Sequence, residues 1–251
     1  MTDWQSWLLA ALAVLFLGLS KAGFGGGLGM LTTPLCALAF PPREALGLVL
    51  PLLCAGDLFS LAHYWRKWDA RNLKYLLPGA ALGVVIGVQC IGHFSPRQLN
   101  LAIGALAVAF VVFHLAREWI FHVEGTFAPN HAFGIPCGIA AGVTSSFAHG
   151  AGPVVSMFLV PQRLPKEIFV GTNVLLFFWI NWIKVPFFAA QGVITSGTLV
   201  KSLWFLPLVP LGVWLGVWLN RRFSETWFSR VVLVTLLLSG LQLMFNFRLG
   251  R

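Results

Sequence analysis

The sequence predicts an all-α, polytopic membrane protein of two inverted repeats, each an overlong glycine-broken or re-entrant first segment followed by three full transmembrane helices. Three observations lead there. The 251 residues are 58% hydrophobic and only 10% charged, against roughly 25% charged in soluble domains, and apolar runs near the spanning length of about 20 residues recur along the chain. Two of those runs are overlong, and glycine interrupts both. Landmarks of the first half then recur, in order, in the second.

The apolar blocks fall at 4–38, 45–65, 75–93, 98–116, 132–160, 168–190, 199–219 and 229–246. The first is interrupted at "SKAGFGGG" (20–27) and the fifth at "TSSFAHGAGP" (144–153). Pro34 and Pro153 are expected to add further breaks. The other six blocks read as ordinary spans.

Sliding the first half by 123 residues lays Phe24 on Phe147, Gly27 on Gly150, Gly29 on Gly152 and "PRE" (42–44) on "PKE" (165–167). A slide of 129 lays Pro78, Gly83 and Gly87 on Pro207, Gly212 and Gly216, and Ser95 on Ser224. An ordered set of matches with one gap indicates an internal duplication. The two repeats are 1–120 and 121–251, together one transmembrane domain, with the polar stretch "REWIFHVEGTFAPN" (117–130) at the join.

Basic residues suggest the topology. If each overlong block crosses once, loop Lys and Arg residues divide almost evenly between the sides. If each folds back at its break, Arg66, Lys67, Arg71, Lys74, Arg117, Arg163, Lys166, Arg221, Arg222 and Arg230 share one side. Arg43, Arg97, Lys201, Arg248 and Arg251 take the other. Only the second arrangement obeys the positive-inside rule, and it makes the halves opposite in orientation, a design common in secondary transporters. Both termini are then expected outside the cytoplasm. Asp3 without a basic n-region argues against a cleaved signal peptide.

The net charge of +9 lies mostly in these short connections, so it orients the chain and does not signal a nucleic-acid partner. Cys36, Cys54, Cys90 and Cys137 all lie in apolar segments without a CxxC pair, as packed thiols do. No P-loop, HExxH or carboxylate cluster is present, so neither metal nor cofactor is expected. Glycines at 79, 83 and 87, at 134, 138 and 142, and at 212 and 216 form small helix faces that allow close crossing in lipid. Trp4, Trp7, Trp65 and Trp68 read as interface anchors.

The glycine breaks are the candidate site. A broken helix presents unpaired N–H groups and a partial positive charge at the start of its second half, which suits an anion. Gly25, Gly26 and Gly27 in one repeat, and His149, Gly150 and Gly152 in the other, would let a ligand approach the backbone. Lys21 stands at the first break, where an ammonium in hydrocarbon must face a cavity, a ligand or the interface. Asp57 and Lys184 are ionisable groups inside apolar blocks. The slide places Lys184 one turn after Asp57, as a structural pair or as a pair that exchanges partners with substrate or a proton. His149 is a proton-carrier candidate or a packed histidine. Thr144, Ser145, Ser146, Asn173, Asn181 and Gln89 are polar groups within spans, and such hydroxyls often bond their own helix.

"GLSKAGFGGGLGMLTTPL" followed by "PREALG", and "GVTSSFAHGAGPVVSMFLV" followed by "LPKEIFVGTN", resemble the two signatures of the TauE/SafE family of membrane proteins. The resemblance covers essentially the whole chain. It implies a transporter of small sulfur-containing oxyanions such as sulfite or sulfonates, in the bacterial inner membrane, coupled to H+. It also implies substrate contacts at Lys21, Gly25, Gly26, Gly27, His149, Gly150, Thr172 and Asn173. Asp57 and Lys184 rest on the residues alone. Two other classes remain open: an intramembrane enzyme using His149, Ser145, Ser146 and Asp57, and an accessory subunit that moves nothing by itself. The partners expected are the lipid bilayer and a small anion, and a homodimer is one option for assembly.

Overall fold

The computed structural model describes residues 3–21, 28–120, 129–222 and 225–245, which form helices and no strand. The first half contains α1 (Asp3–Lys21), a 3-10 turn (Leu28–Leu31), α2 (Thr32–Ala39), α3 (Pro42–His63), α4 (Ala70–His93) and α5 (Pro96–Ile120). The second contains α6 (His131–Ala148), α7 (Gly152–Leu159), a 3-10 turn (Val160–Gln162), α8 (Lys166–Ala190), α9 (Ser196–Phe205), α10 (Leu208–Arg222) and α11 (Glu225–Phe245). Pro42–His63, Ala70–His93, Pro96–Ala116 and Lys166–Ala190 are each long and apolar enough to cross a bilayer. The bent pair α9 and Leu208–Gly216 is long and apolar enough for a fifth when its two helices are taken as one span. The chain is an all-helical, multi-pass membrane protein.

Both overlong blocks fold back on themselves. α6 ends where His149 adopts the left-handed conformation (φ 53°, ψ 29°), which few residues other than glycine enter readily. Three residues later α7 begins and runs back beside α6, so that the Cys137 thiol donates to the Val154 carbonyl at 3.1 Å. In the first half, α1 spans Asp3–Lys21 and helix is described again from Leu28. Its returning limb brings Phe40, just after α2, to the start of α1, with the Phe40 and Trp7 rings 6.3 Å apart. The expected extra breaks at Pro34 and Pro153 do not occur. Both prolines lie in the first turn of the returning helices, where a missing N–H costs no hydrogen bond.

One block read as an ordinary span is bent instead. α9 and α10 meet at 40°. Pro207 has no N–H for the ladder, and the chain around it falls back on three-residue bonds, Leu206 N–H to Leu203 O at 3.3 Å and Val209 N–H to Leu206 O at 3.1 Å. Pro78, its counterpart under the 129-residue slide, stays inside an unbroken α4.

Contacts at the helix ends set the directions. The start of α8 lies by the α3–α4 connection, through Lys67 Nζ to Glu167 Oε2 at 3.1 Å and the Asp69 N–H to Thr172 Oγ1 at 2.9 Å. Beyond the end of α8, Lys201 of α9 pairs with Glu44 at the start of α3. Thus α3 and α8 run antiparallel. α6 runs parallel to α4, because a Cβ on Gly79 or Gly83 would lie 2.1 Å from the carbonyls of Ile135 or Ile139 in turn. The second hairpin therefore opens at the Lys67 end of the bundle, and the first opens at the Lys201 end. The small faces read from the sequence are where backbones touch. Gly142 faces the Ala80 carbonyl, and Gly18 of α1 meets Gly212 of α10.

Candidate functional site

The two hairpins touch at their bends. Thr33, in the first turn of α2, places Oγ1 3.1 Å from His149 Nδ1. A Cβ on Gly150 would lie 2.3 Å from Met30 Cε, so the Met30 side chain lies directly over this glycine. Residues 116 positions apart are thereby joined where both helices have been interrupted.

α8 passes beside this contact and contributes the charge. Lys184 is fully buried, and its ammonium donates to the Ser145 carbonyl at 3.2 Å and to Ser145 Oγ at 3.0 Å. Its Nζ stands 5.9 Å from the Phe188 ring centre, and the His149 ring meets the same phenyl at 6.4 Å. One turn before Lys184, Asn181 Nδ2 donates to Asp57 Oδ2 of α3 at 2.6 Å. Asp57 is fully buried and acts on Lys184 electrostatically. A polar track thus links Asp57, Asn181, Lys184 and Ser145, and Phe188 bridges it to His149 and Thr33. Four segments build it: α2, α3, α8 and the α6–α7 bend. An isolated charge at bilayer depth costs at least about 2.5–3.5 kcal/mol. Here an ammonium, a carboxylate, an amide and a hydroxyl offset one another.

Two buried polar atoms at the bend are left over. Neither Thr32 Oγ1 nor His149 Nε2 has a hydrogen-bond partner among the described residues. Buried polar atoms are normally paired, and a ligand or water is one way to complete them; Arg43, Asn72 and Asn100 carry other such atoms elsewhere.

The residues expected from the sequence divide into three groups. His149, Gly150, Asp57, Lys184, Asn181 and Ser145 all belong to the track or to the bend. Gly25, Gly26 and Gly27 lie outside the described residues, and Lys21 closes α1. Thr172 and Asn173 sit elsewhere on α8. The Thr172 hydroxyl donates to Ile168 O at 2.6 Å while receiving the Asp69 N–H, and Asn173 Nδ2 donates to Phe169 O at 3.0 Å. Thr144 and Ser146 bond their own helix, at 2.8 Å to Ala140 O and 2.9 Å to Gly142 O. Gln89 meets Gln191 at 3.4 Å.

Sequence reasoning passed over Thr32 and Thr33. The signal was there in "GMLTTPL", two hydroxyls at the helix start after a glycine break. A separate cleft of about 410 Å³ opens at the Lys201 end, lined by Arg43, Glu44, Thr195, Thr198 and Lys201 among others. It shares no residue with the track. No cluster of His, Cys, Asp and Glu fit to hold a metal occurs among the described residues. Among the described residues, Ser145 Oγ accepts from Lys184 and Ser146 Oγ donates to Gly142 O.

Set against known proteins, the chain matches one family model, described as Sulfite exporter TauE/SafE, over residues 10–243. No curated protein and no solved structure gave a match.

Proposed function

This chain belongs to the sulfite exporter TauE/SafE family, and on that premise we propose that it is a secondary transporter of small sulfur-containing oxyanions, sulfite or a sulfonate. The anion sits between the bends of the two hairpins. His149 and the backbone N–H groups after Gly150 face it, and the family resemblance adds Lys21, Gly25, Gly26 and Gly27 as contacts from the sequence alone. Thr172 and Asn173 serve farther along the path. Asp57 carries the coupled proton, with Lys184 as its counter-charge.

The observation that carries this reading is the contact between Thr33 and His149. It joins the returning limb of the first hairpin to the bend of the second, where the first N–H groups of α7 have no acceptor in their own helix. Opposed hairpins meeting in this way suit an inverted-repeat carrier that opens to each side in turn. The packing pairs are consistent with that design. Exchanging the halves turns the α1–α10 contact into α6–α4, and maps α3–α8 and α5–α11 onto themselves. The membrane is the bacterial inner membrane, with the Lys67 end in the cytoplasm, and the carrier is a homodimer or a monomer.

The test is uptake into proteoliposomes under an imposed pH gradient, with sulfite, thiosulfate, sulfoacetate and taurine against chloride and acetate controls. Accumulation of one or more sulfur oxyanions, unchanged and dependent on the gradient, is expected. Purified protein that moves none of them, or that returns a chemically altered product, rejects the proposal.

A further inference from the structure

The bend between α6 and α7 holds a histidine whose tautomer its neighbour decides. His149 is fixed in place by its left-handed backbone, by its N–H bond to Ser145 O at 2.9 Å, and by the edge-on Phe188 ring. Its Nδ1 faces the hydroxyl of Thr33, which is fully buried. Among the described residues that hydroxyl has no other hydrogen-bond partner.

A hydroxyl carries one proton, and a neutral imidazole carries one on either nitrogen. If Nδ1 held the ring proton, it would donate to Thr33. The Thr33 proton would then have no described acceptor, and Nε2 would be a bare acceptor. If Thr33 donates to Nδ1, both atoms are satisfied and the ring proton must be on Nε2. The second arrangement leaves one unspent group, a buried Nε2–H donor. Thr32 adds another, since its hydroxyl is fully buried and unpartnered among the described residues. Thr32 directly precedes Thr33 in the first turn of α2, so this second unspent hydroxyl is carried by the same helical turn that makes the contact.

We propose that Thr33 is a positioning residue that holds His149 in its Nε2–H form, and that this N–H and the Thr32 hydroxyl bind the oxygens of one small oxyanion. The inference rests on the transport reading and deepens it. It adds two residues to the site and gives His149 a binding role, in which its Nε2 proton stays on the ring throughout the cycle. The coupled proton must then travel elsewhere, along the Asp57 and Lys184 side of the track. A ligand with at least two exposed oxygens fits this donor pair, and a halide does not.

Sulfite transport is measured in proteoliposomes for wild type, T33V, T33S and T32V, with the ring 15N resonances of His149 assigned by difference from H149N. T33V keeps the shape and loses the hydroxyl. It is expected to raise KM for sulfite about ten-fold, as for loss of one buried hydrogen bond, with kcat little changed. T33S restores the wild-type KM, and T32V raises KM without altering the ring. The 15N spectrum shows Nε2–H alone in wild type and a tautomer mixture in T33V. A KM for T33V within two-fold of wild type, or Nδ1–H in the wild-type ring, overturns the proposal. A wild-type protein that moves no sulfur oxyanion rejects the transport reading and the anion role together, while the 15N spectrum still decides the tautomer.

Discussion

Lys67 Nζ lies 3.1 Å from Glu167 Oε2, and Glu167 is the residue that falls on Glu44 when the first half is slid 123 positions. Glu44 in turn pairs with Lys201. Each half therefore places a glutamate in the first turn of its long central helix, and each glutamate takes a lysine from the other half. The two pairs sit at opposite ends of the bundle.

Their surroundings differ, and so should their effect on stability. The Lys67–Glu167 side chains are 44% and 69% exposed. Removing that pair with E167Q should change unfolding in detergent by no more than about 1 kcal/mol, as for other exposed ion pairs. The Glu44–Lys201 side chains are 27% and 31% exposed, and the Lys201 ammonium also stands 4.8 Å from the Phe40 ring centre. E44Q should lower the melting temperature more than E167Q, as thermal denaturation of the purified variants would reveal.

The same contacts fix which ends are neighbours, which makes sidedness measurable. In a background without Cys36, Cys54, Cys90 and Cys137, single cysteines at 67 and 167 should react with an impermeant thiol reagent from one face. Cysteines at 44 and 201 should react from the other. The positive-inside rule assigns the first face to the cytoplasm. Labelling of 67 and 167 from opposite faces would rule out a fold-back of the second hairpin.

The buried carboxylate offers a sharper test of mechanism. D57N keeps a hydrogen-bonding group opposite Asn181 and removes one charge, so it should fold and lose gradient-driven uptake. Lys184→Met removes a buried charge on which Asp57 acts, and losing one member of a buried charged group costs about 3–5 kcal/mol in soluble cores. The double variant should recover stability relative to Lys184→Met alone and stay inactive. Uptake that survives both single changes would remove Asp57 and Lys184 from the mechanism.

Glycine positions can be sorted by what a methyl would strike. At Gly142 a Cβ would come within 2.3 Å of the Ala80 carbonyl, a backbone atom that has no room to move. At Gly197 the nearest atom is the Thr195 hydroxyl at 3.7 Å. G142A should therefore cost expression and monodispersity on size-exclusion chromatography, and G197A should behave as wild type. Equal profiles would show that the α4–α6 crossing tolerates separation.

Much of this architecture was legible in the residues because it depends on local chemistry. Apolar length, glycine clusters and basic connections act over one or two helical turns, so the breaks after Lys21 and at His149 could be located before any coordinates. Asp57 and Lys184 stood out because a charge in an apolar block must find a partner. The bend at Pro207 was less readable, since the aligned Pro78 is absorbed within α4. Proline removes one hydrogen bond in either place, and packing against neighbours decides whether the helix kinks.

What only the tertiary structure decided is which group meets which. Lys184 spends two of its donors on Ser145, Asp57 accepts from Asn181, Thr172 docks a connection, and Thr33 reaches a histidine in the other half. Hydrogen bonds are directional and end within about 3.2 Å, and no periodicity records the distance between residues more than a hundred positions apart. The sequence by itself determined two interrupted segments in a helical membrane protein. Folding those segments in from opposite ends of the bundle set Thr33 against His149.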